Sequence, residues 1–286
     1  MISRLATGTA VGTALVLSLT GCLGDTGTKG AGGSGGTAGR AGDLTAVQAL
    51  DRSSQKSGKP DSVAIDATID GTIADRAVKS HTVGKLRFRP TPAESNTTIA
   101  RTAGSAGGAG TRTQIVVVDG VLYVNNPALT RVSGGKPWLR ISLKDLGNKA
   151  GIDFDAAVKQ AQQYNPADQT KLFTASKDVH TVGTETVDGV RTTHYAGTLS
   201  AKDVEAKFDA KTRERLQQPG TDKVAFDVWV DGDSLLRKLV SKTGPSGRPL
   251  NTTILFRDYG KPVTITAPPA SEVGEFSGGR VVVPGA

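Results

Sequence analysis
Apolar and polar positions alternate most regularly over Val63–Ile73. Val63, Ile65, Ala67, Ile69, Gly71 and Ile73 fall on one side. Ser62, Ala64, Asp66, Thr68, Asp70 and Thr72 fall on the other. A two-residue period predicts a strand with one buried face. Its length suits a large curved sheet or barrel better than a compact sandwich. Val78–Arg89 continues the pattern, with Leu86 and Phe88 opposite Lys85, Arg87 and Arg89, and Ser95–Arg101 reads as a third strand. Hairpins follow wherever Asp-Gly parts two apolar runs. Gln114–Val118 and Val121–Val124 flank Asp119-Gly120, and Val179–Val187 and Val190–Leu199 flank Asp188-Gly189. Lys223–Val230 and Leu235–Lys242 flank Asp231-Gly232-Asp233. Leu250–Tyr259 adds a strand, Pro262–Thr266 is expected to pair at an edge, and Pro268-Pro269 to stop the sheet. Asn126–Arg140 reads as irregular.

Helical spacing covers the remainder. Asp43–Lys56 is predicted helical, with Asp43 as cap and Leu44, Val47 and Leu50 as its apolar stripe. Leu143–Asn148, Asp153–Tyr164 and Pro166–Ala175 follow, the last opened by Asn165-Pro166. Ser200–Asp203 resembles a capping box starting a helix through Phe208 and, in pieces, to Leu216. Frequent hairpins imply an antiparallel sheet, and helices placed between two strand groups imply a cover on one face. The expected fold is α+β: a curved antiparallel sheet forming a half-open β-barrel, with helices covering one face and an apolar cavity between.

The N-terminal stretch changes where this domain must work. After Arg4, Val11–Leu19 is apolar apart from Gly12, Thr13 and Ser18. It is shorter than the roughly 20 residues a bilayer-spanning helix needs. A charged start, a short apolar middle and small residues beyond it predict a secretion signal. Leu19-Thr20-Gly21-Cys22 holds the chain's single cysteine and resembles the bacterial lipobox. That resemblance implies cleavage after Gly21 and a lipid on Cys22. The expected organisation is a signal peptide at 1–21, a glycine-rich tether at 22–42, a folded domain at 43–267 and a tail at 268–286. A flexible tether of this length reaches about 25 Å. Gly30, Gly32 and Gly35 within it match a nucleotide-loop spacing, but no strand precedes them.

Of the 286 residues, 37% are hydrophobic, 5% aromatic and 36 are glycine, so the core must come from Val, Ile, Leu and Ala. The net charge of +8 would be attracted to anionic headgroups, although a plain solvated surface accounts for it better. Basic residues scattered along strands of an exported chain argue against nucleic acid. The chemical motifs are decoys. Ser53–Lys56 and Ser133–Lys136 match S-x-x-K and Lys242-Thr243-Gly244 matches K-T-G, but the S-D-N element of such enzymes is missing. His81, His180 and His194 stand in separate strands without metal-ligand spacing. The expectation is a protein without catalysis, cofactor or metal. Trp138, with Arg131, Lys136 and Arg140 nearby, suits a membrane interface or a cavity mouth, or else a ring packed at a loop base.

The order of parts resembles the LppX/LprAFG-type lipoproteins of actinobacteria, within the LolA-like lipid carriers. The hairpin Val182–Tyr195 leads into Gly197-Thr198-Leu199, the capped stretch Ser200–Phe208 and Val228-Trp229-Val230. The lipobox and Tyr259-Gly260-Lys261-Pro262-Val263 also match, so the likeness spans about Asp43 to Ala267. It implies a cavity for acyl chains of lipids or lipoglycans, carriage in the cell envelope, and a place on the outer face of the cell membrane. Val63, Ile65, Ile69, Leu86, Phe88, Phe226 and Val228 are the candidate lining, and would serve equally as a filled core. The alternative is an interaction or regulatory lipoprotein that binds a membrane protein.

Overall fold
The computed structural model describes residues 44–73, 76–89, 94–102, 110–142, 165–200, 203, 223–244 and 249–275. The helices expected at 143–148 and 153–164, and all but residue 203 of the stretch 201–216, lie outside the described residues, as do the signal, Cys22 and the tether.

The helix α1 (Ala46–Ser57) opens the described chain. Thr45 caps it, not Asp43: its hydroxyl accepts from Gln48 N, and its own N–H donates to Gln48 Oε1. The expected stripe is also rotated. Leu50 is fully buried, whereas Leu44 and Val47 are 46% and 40% exposed. Ala49, Ser53, Ser54 and Ser57 are buried instead: small side chains let α1 lie close to α2 (Pro166–Phe173), and Ser57 Oγ accepts from the Leu236 amide of the sheet at 3.0 Å. At that contact Ser54 Oγ donates to the Ala167 carbonyl at 2.8 Å. Asn165 caps α2 as expected, accepting from Ala167 N.

Twelve strands among the described residues form one open sheet. They are β1 (Ser62–Ile73), β2 (Arg76–Arg87), β3 (Glu94–Arg101), β4 (Thr111–Val118), β5 (Val121–Asn125) and β6 (Trp138–Ser142). The second group is β7 (His180–Val187), β8 (Val190–Ser200), β9 (Lys223–Asp231), β10 (Leu236–Thr243), β11 (Leu250–Arg257) and β12 (Val273–Glu275). Their spatial order is β12-β6-β5-β4-β3-β2-β1-β11-β10-β9-β8-β7. Two meanders thus join where β1 pairs with β11, Ile65 opposite Phe256. Asp119 and Gly120, and Asp188 and Gly189, all have positive φ, the backbone twist that tight hairpins require. At the β9–β10 turn the Asp231 carboxylate accepts from the Asp233 and Leu235 amides and pairs with Arg237.

Three further expectations, on the strands, are corrected. The end of the stretch read as irregular is β6, whose Leu139 and Ile141 are buried; its alternation is only five residues long and carries two charged or aromatic positions outward. Residues 262–266 pair with no strand. They run over the outer sheet face, where Ile265 and Val263 pack on Val116, Val118, Tyr123 and Trp138. The sheet also does not end at Pro268-Pro269. A 3-10 turn (Ala270–Glu272) leads into β12, which pairs parallel to β6, so the sheet is mixed and not purely antiparallel.

Candidate functional site
Period-two alternation and register together decide which side chains meet. On the helix-bearing face, α1 and α2 cover the part of the sheet from β8 to β2. The core there includes Leu50, Val63, Ile65, Leu86, Phe173, Phe226, Val228, Leu239 and Phe256. Of the seven expected lining residues, Val63, Ile65, Leu86, Phe226 and Val228 are at most 4% exposed within it. Phe88, just past β2, packs against the same cluster. All seven share this face, and most of them belong to a buried cluster that also holds Leu50 of α1 and Phe173 of α2. Ile69 differs: it is half-buried, two rungs further along β1 than Ile65, and outside the cluster.

Across β2 the same face changes character. Ile99, Ile115, Val117, Leu122 and Val124 point to it and are only half-buried. Register aligns Ile115 with Val124 and Val117 with Leu122, so they form a contiguous apolar patch on β3–β5. Leu139 and Ile141 close its far side. Sequence reasoning assigned these positions to strands and gave them no role. The signal was present in the Asp119-Gly120 hairpin, whose register follows from its two-residue turn.

Away from the apolar cluster around Val116 and Ile265 the opposite face is largely polar, and several of its charges are paired. Trp138 is half-buried there against Val116 and Ile265. Its basic neighbours are divided. Lys136 Nζ donates to the Ser271 carbonyl at 2.8 Å and Arg140 pairs with Glu275 at 3.3 Å, both fastening the C-terminal segment. Arg131 is exposed. At the other end, His194 bridges Glu185 (2.9 Å) and Asp227 (2.8 Å) and stacks on Trp229. Trp229 donates to Glu185, and Lys238 stands 4.2 Å over its ring. The Trp229 N–H, and then His194, hold the Glu185 carboxyl below the usual range. Desolvation opposes ionisation of Asp66, but hydrogen bonds from His81 and Arg257 outweigh it and lower its pKa. His180 contacts the Asp178 carbonyl. Each histidine therefore has a structural partner on its own strand pair or turn. Among the described residues no group of three or more His, Cys, Asp or Glu gathers to hold a metal ion.

No protein-family model matches the chain. An uncharacterised 31.2 kDa protein of Streptomyces griseus, from the rplA–rplJ intergenic region, is 33% identical over 241 residues, covering 80% of this chain and 79% of that protein. A Streptomyces coelicolor protein named as a candidate lipoprotein is 32% identical over 146 residues, covering 50% of this chain and 44% of that protein. Among solved structures, LprF from Mycobacterium bovis superposes with a TM-score of 0.51 at 15% identity, covering 78% of this chain and 96% of LprF. The Mycobacterium tuberculosis lipoprotein LppX gives 0.48 at 15% identity, over 77% of this chain and 98% of LppX.

Proposed function
Because the chain belongs to the family of the Streptomyces griseus 31.2 kDa protein and is built on the LprF fold, we propose that it is an exported, lipid-anchored, non-enzymatic protein of the cell envelope. In this reading it binds the acyl chains of a lipid or lipoglycan and carries them. One observation supports it above the rest. On the helix-bearing face most apolar side chains from β8 to β2 are buried, yet on β3–β5 Ile99, Ile115, Val117, Leu122 and Val124 stay half-buried. An acyl chain laid along them, with Ile69 at the border, gains about 0.8 kcal/mol per CH₂ removed from water. Cys22 supplies the anchor, and two or three acyl chains there hold stably where one would not. A lipid anchor and basic surface keep the domain beside anionic headgroups.

The test uses the full chain carrying Cys22→Ser, so that no covalent acyl group interferes. Uptake of a fluorescent diacyl lipid is measured for this form and for Ile115→Gln and Val124→Gln. Both variants keep the packed half of the core. Loss of uptake in the two variants, with melting unchanged, supports the reading. Uptake unaffected by both variants removes the β3–β5 patch as the binding surface.

A further inference from the structure
A second site lies on the other face of the sheet. Between β3–β6 and residues 266–272 the structure holds a cleft of about 420 Å³, within the usual range of small-molecule sites, about 300–1,000 Å³. Register builds its floor. Gln114 stands opposite Asn125, and Asn125 opposite Trp138, so two amides and an indole lie side by side on adjacent strands. At strand spacing this row spans about 10 Å. Asn96 joins it from β3, and Pro268 and Glu272 stand on the opposite wall. The row exists because β6 is a strand and because the C-terminal segment returns across it to form β12.

The chemistry of this lining is selective. Asn96, Gln114 and Asn125 each present both hydrogen-bond donors and an acceptor. No side-chain hydrogen bond to a described residue engages them, whereas neighbouring Asn126 is held by Thr113 and the Ala128 amide. Glu272 is the single charged residue of the lining, so nothing there attracts an anion. An apolar ligand would strip water from the amides without replacing their hydrogen bonds. Trp138 adds a flat apolar surface beside them. A ligand with hydroxyls that both donate and accept, and a flat C–H face for the indole, satisfies all of these groups. We infer that this cleft binds a neutral sugar ring, either in a free glycan or as the headgroup of a glycolipid. The site lies across the sheet from the acyl-chain patch and does not rest on that reading.

The test places Trp138 alone as reporter, in the full chain carrying Cys22→Ser and Trp229→Phe. Methyl glycosides of glucose, galactose and mannose, then maltose and trehalose, are titrated while indole emission is followed. At least one should give a saturable change. In Gln114→Ala its dissociation constant should rise about tenfold, the worth of one lost hydrogen bond, with melting unchanged. Vesicles carrying a glycosyl diacylglycerol form the second arm. Tighter binding to them than to the free glycoside assigns a lipid headgroup, and equal binding assigns a soluble glycan. No saturable change with any sugar or vesicle up to about 100 mM sugar, far beyond a millimolar site, overturns the inference. So does a response to choline but not to sugars, or sugar affinity untouched by both Gln114→Ala and Asn125→Ala.

Discussion

Phe173 on α2 lies stacked on Phe226 of β9, with ring centroids 4.2 Å and planes 26° apart. This contact seats the helical cover on the sheet within the buried cluster of the helix-bearing face. Phe226 is 1% exposed, and its ring occupies the space beside Gly197, where any Cβ would lie 2.8 Å from Phe226 Cζ. Phe226→Ala should cost about 3–5 kcal/mol, since the cavity adds to the lost transfer energy. Chemical denaturation of the full chain measures it. A loss below 1 kcal/mol (about one methylene,) would mean that the helices are not seated on this ring.

Ser53 gives the opposite sign. It is fully buried on α1, and its hydroxyl has no partner. A buried polar group left unsatisfied costs about 1–3 kcal/mol, and alanine is the better helix former. Ser53→Ala should therefore raise stability by about 1 kcal/mol, read as a higher denaturation midpoint with an unchanged slope. A lower midpoint would show that the hydroxyl is satisfied after all.

Gly274 holds β12 against β6. A side chain there would overlap the Ser133 carbonyl, which leaves no room for a Cβ. Gly274→Ala should release the C-terminal segment, uncovering Trp138, Val116 and Val118. Trp138 emission in a Trp229→Phe background is expected to shift red, and amide exchange at Leu139 and Arg140 to quicken. An unshifted emission would mean that Val263, Ile265 and the Lys136 and Arg140 contacts hold the segment without Gly274.

Asp178 predicts a pH dependence. Side-chain and backbone hydrogen bonds from Thr198, helped by Ser176, outweigh desolvation and lower its carboxyl to about 2. Thr198 N donates to it at 2.7 Å and Ser176 Oγ at 2.7 Å. A depressed folded-state pKa adds stability that is present above the unfolded value, 3.8, and lost as pH falls towards about 2. Asp178→Asn should flatten the stability profile across that window. An equally steep profile in the variant would assign the acid sensitivity to other carboxylates.

Much of this architecture was legible in the sequence because period-two alternation and Asp-Gly turns are local signals. Val63–Ile73 and the hairpins at Asp119-Gly120 and Asp188-Gly189 needed nothing else. What escaped depended on distant partners. α1 buries serines and leaves Leu44 and Val47 outside because α2 sits close enough to demand small residues. β12 is three residues long and is a strand only because β6 lies beside it. Val63 and Phe226 were placed on the right face, but whether helix side chains or a ligand fill the space above them is not encoded in their spacing. For the same reason Ile115, Val124, Gln114 and Asn125 drew no notice, and Trp138 drew it only through its basic neighbours: each gains its meaning from register across three strands.

Acyl-chain binding is tested most directly by the native mass of the Cys22→Ser form exported from a Streptomyces host, followed by extraction and identification of whatever it holds. The account predicts a stoichiometric acylated lipid, retained in the Asp178→Asn variant and lost when Ile115 and Val124 are both replaced by Gln. A clean apo mass, with no uptake of added lipids, would contradict it and leave a lipoprotein that acts by binding a membrane protein.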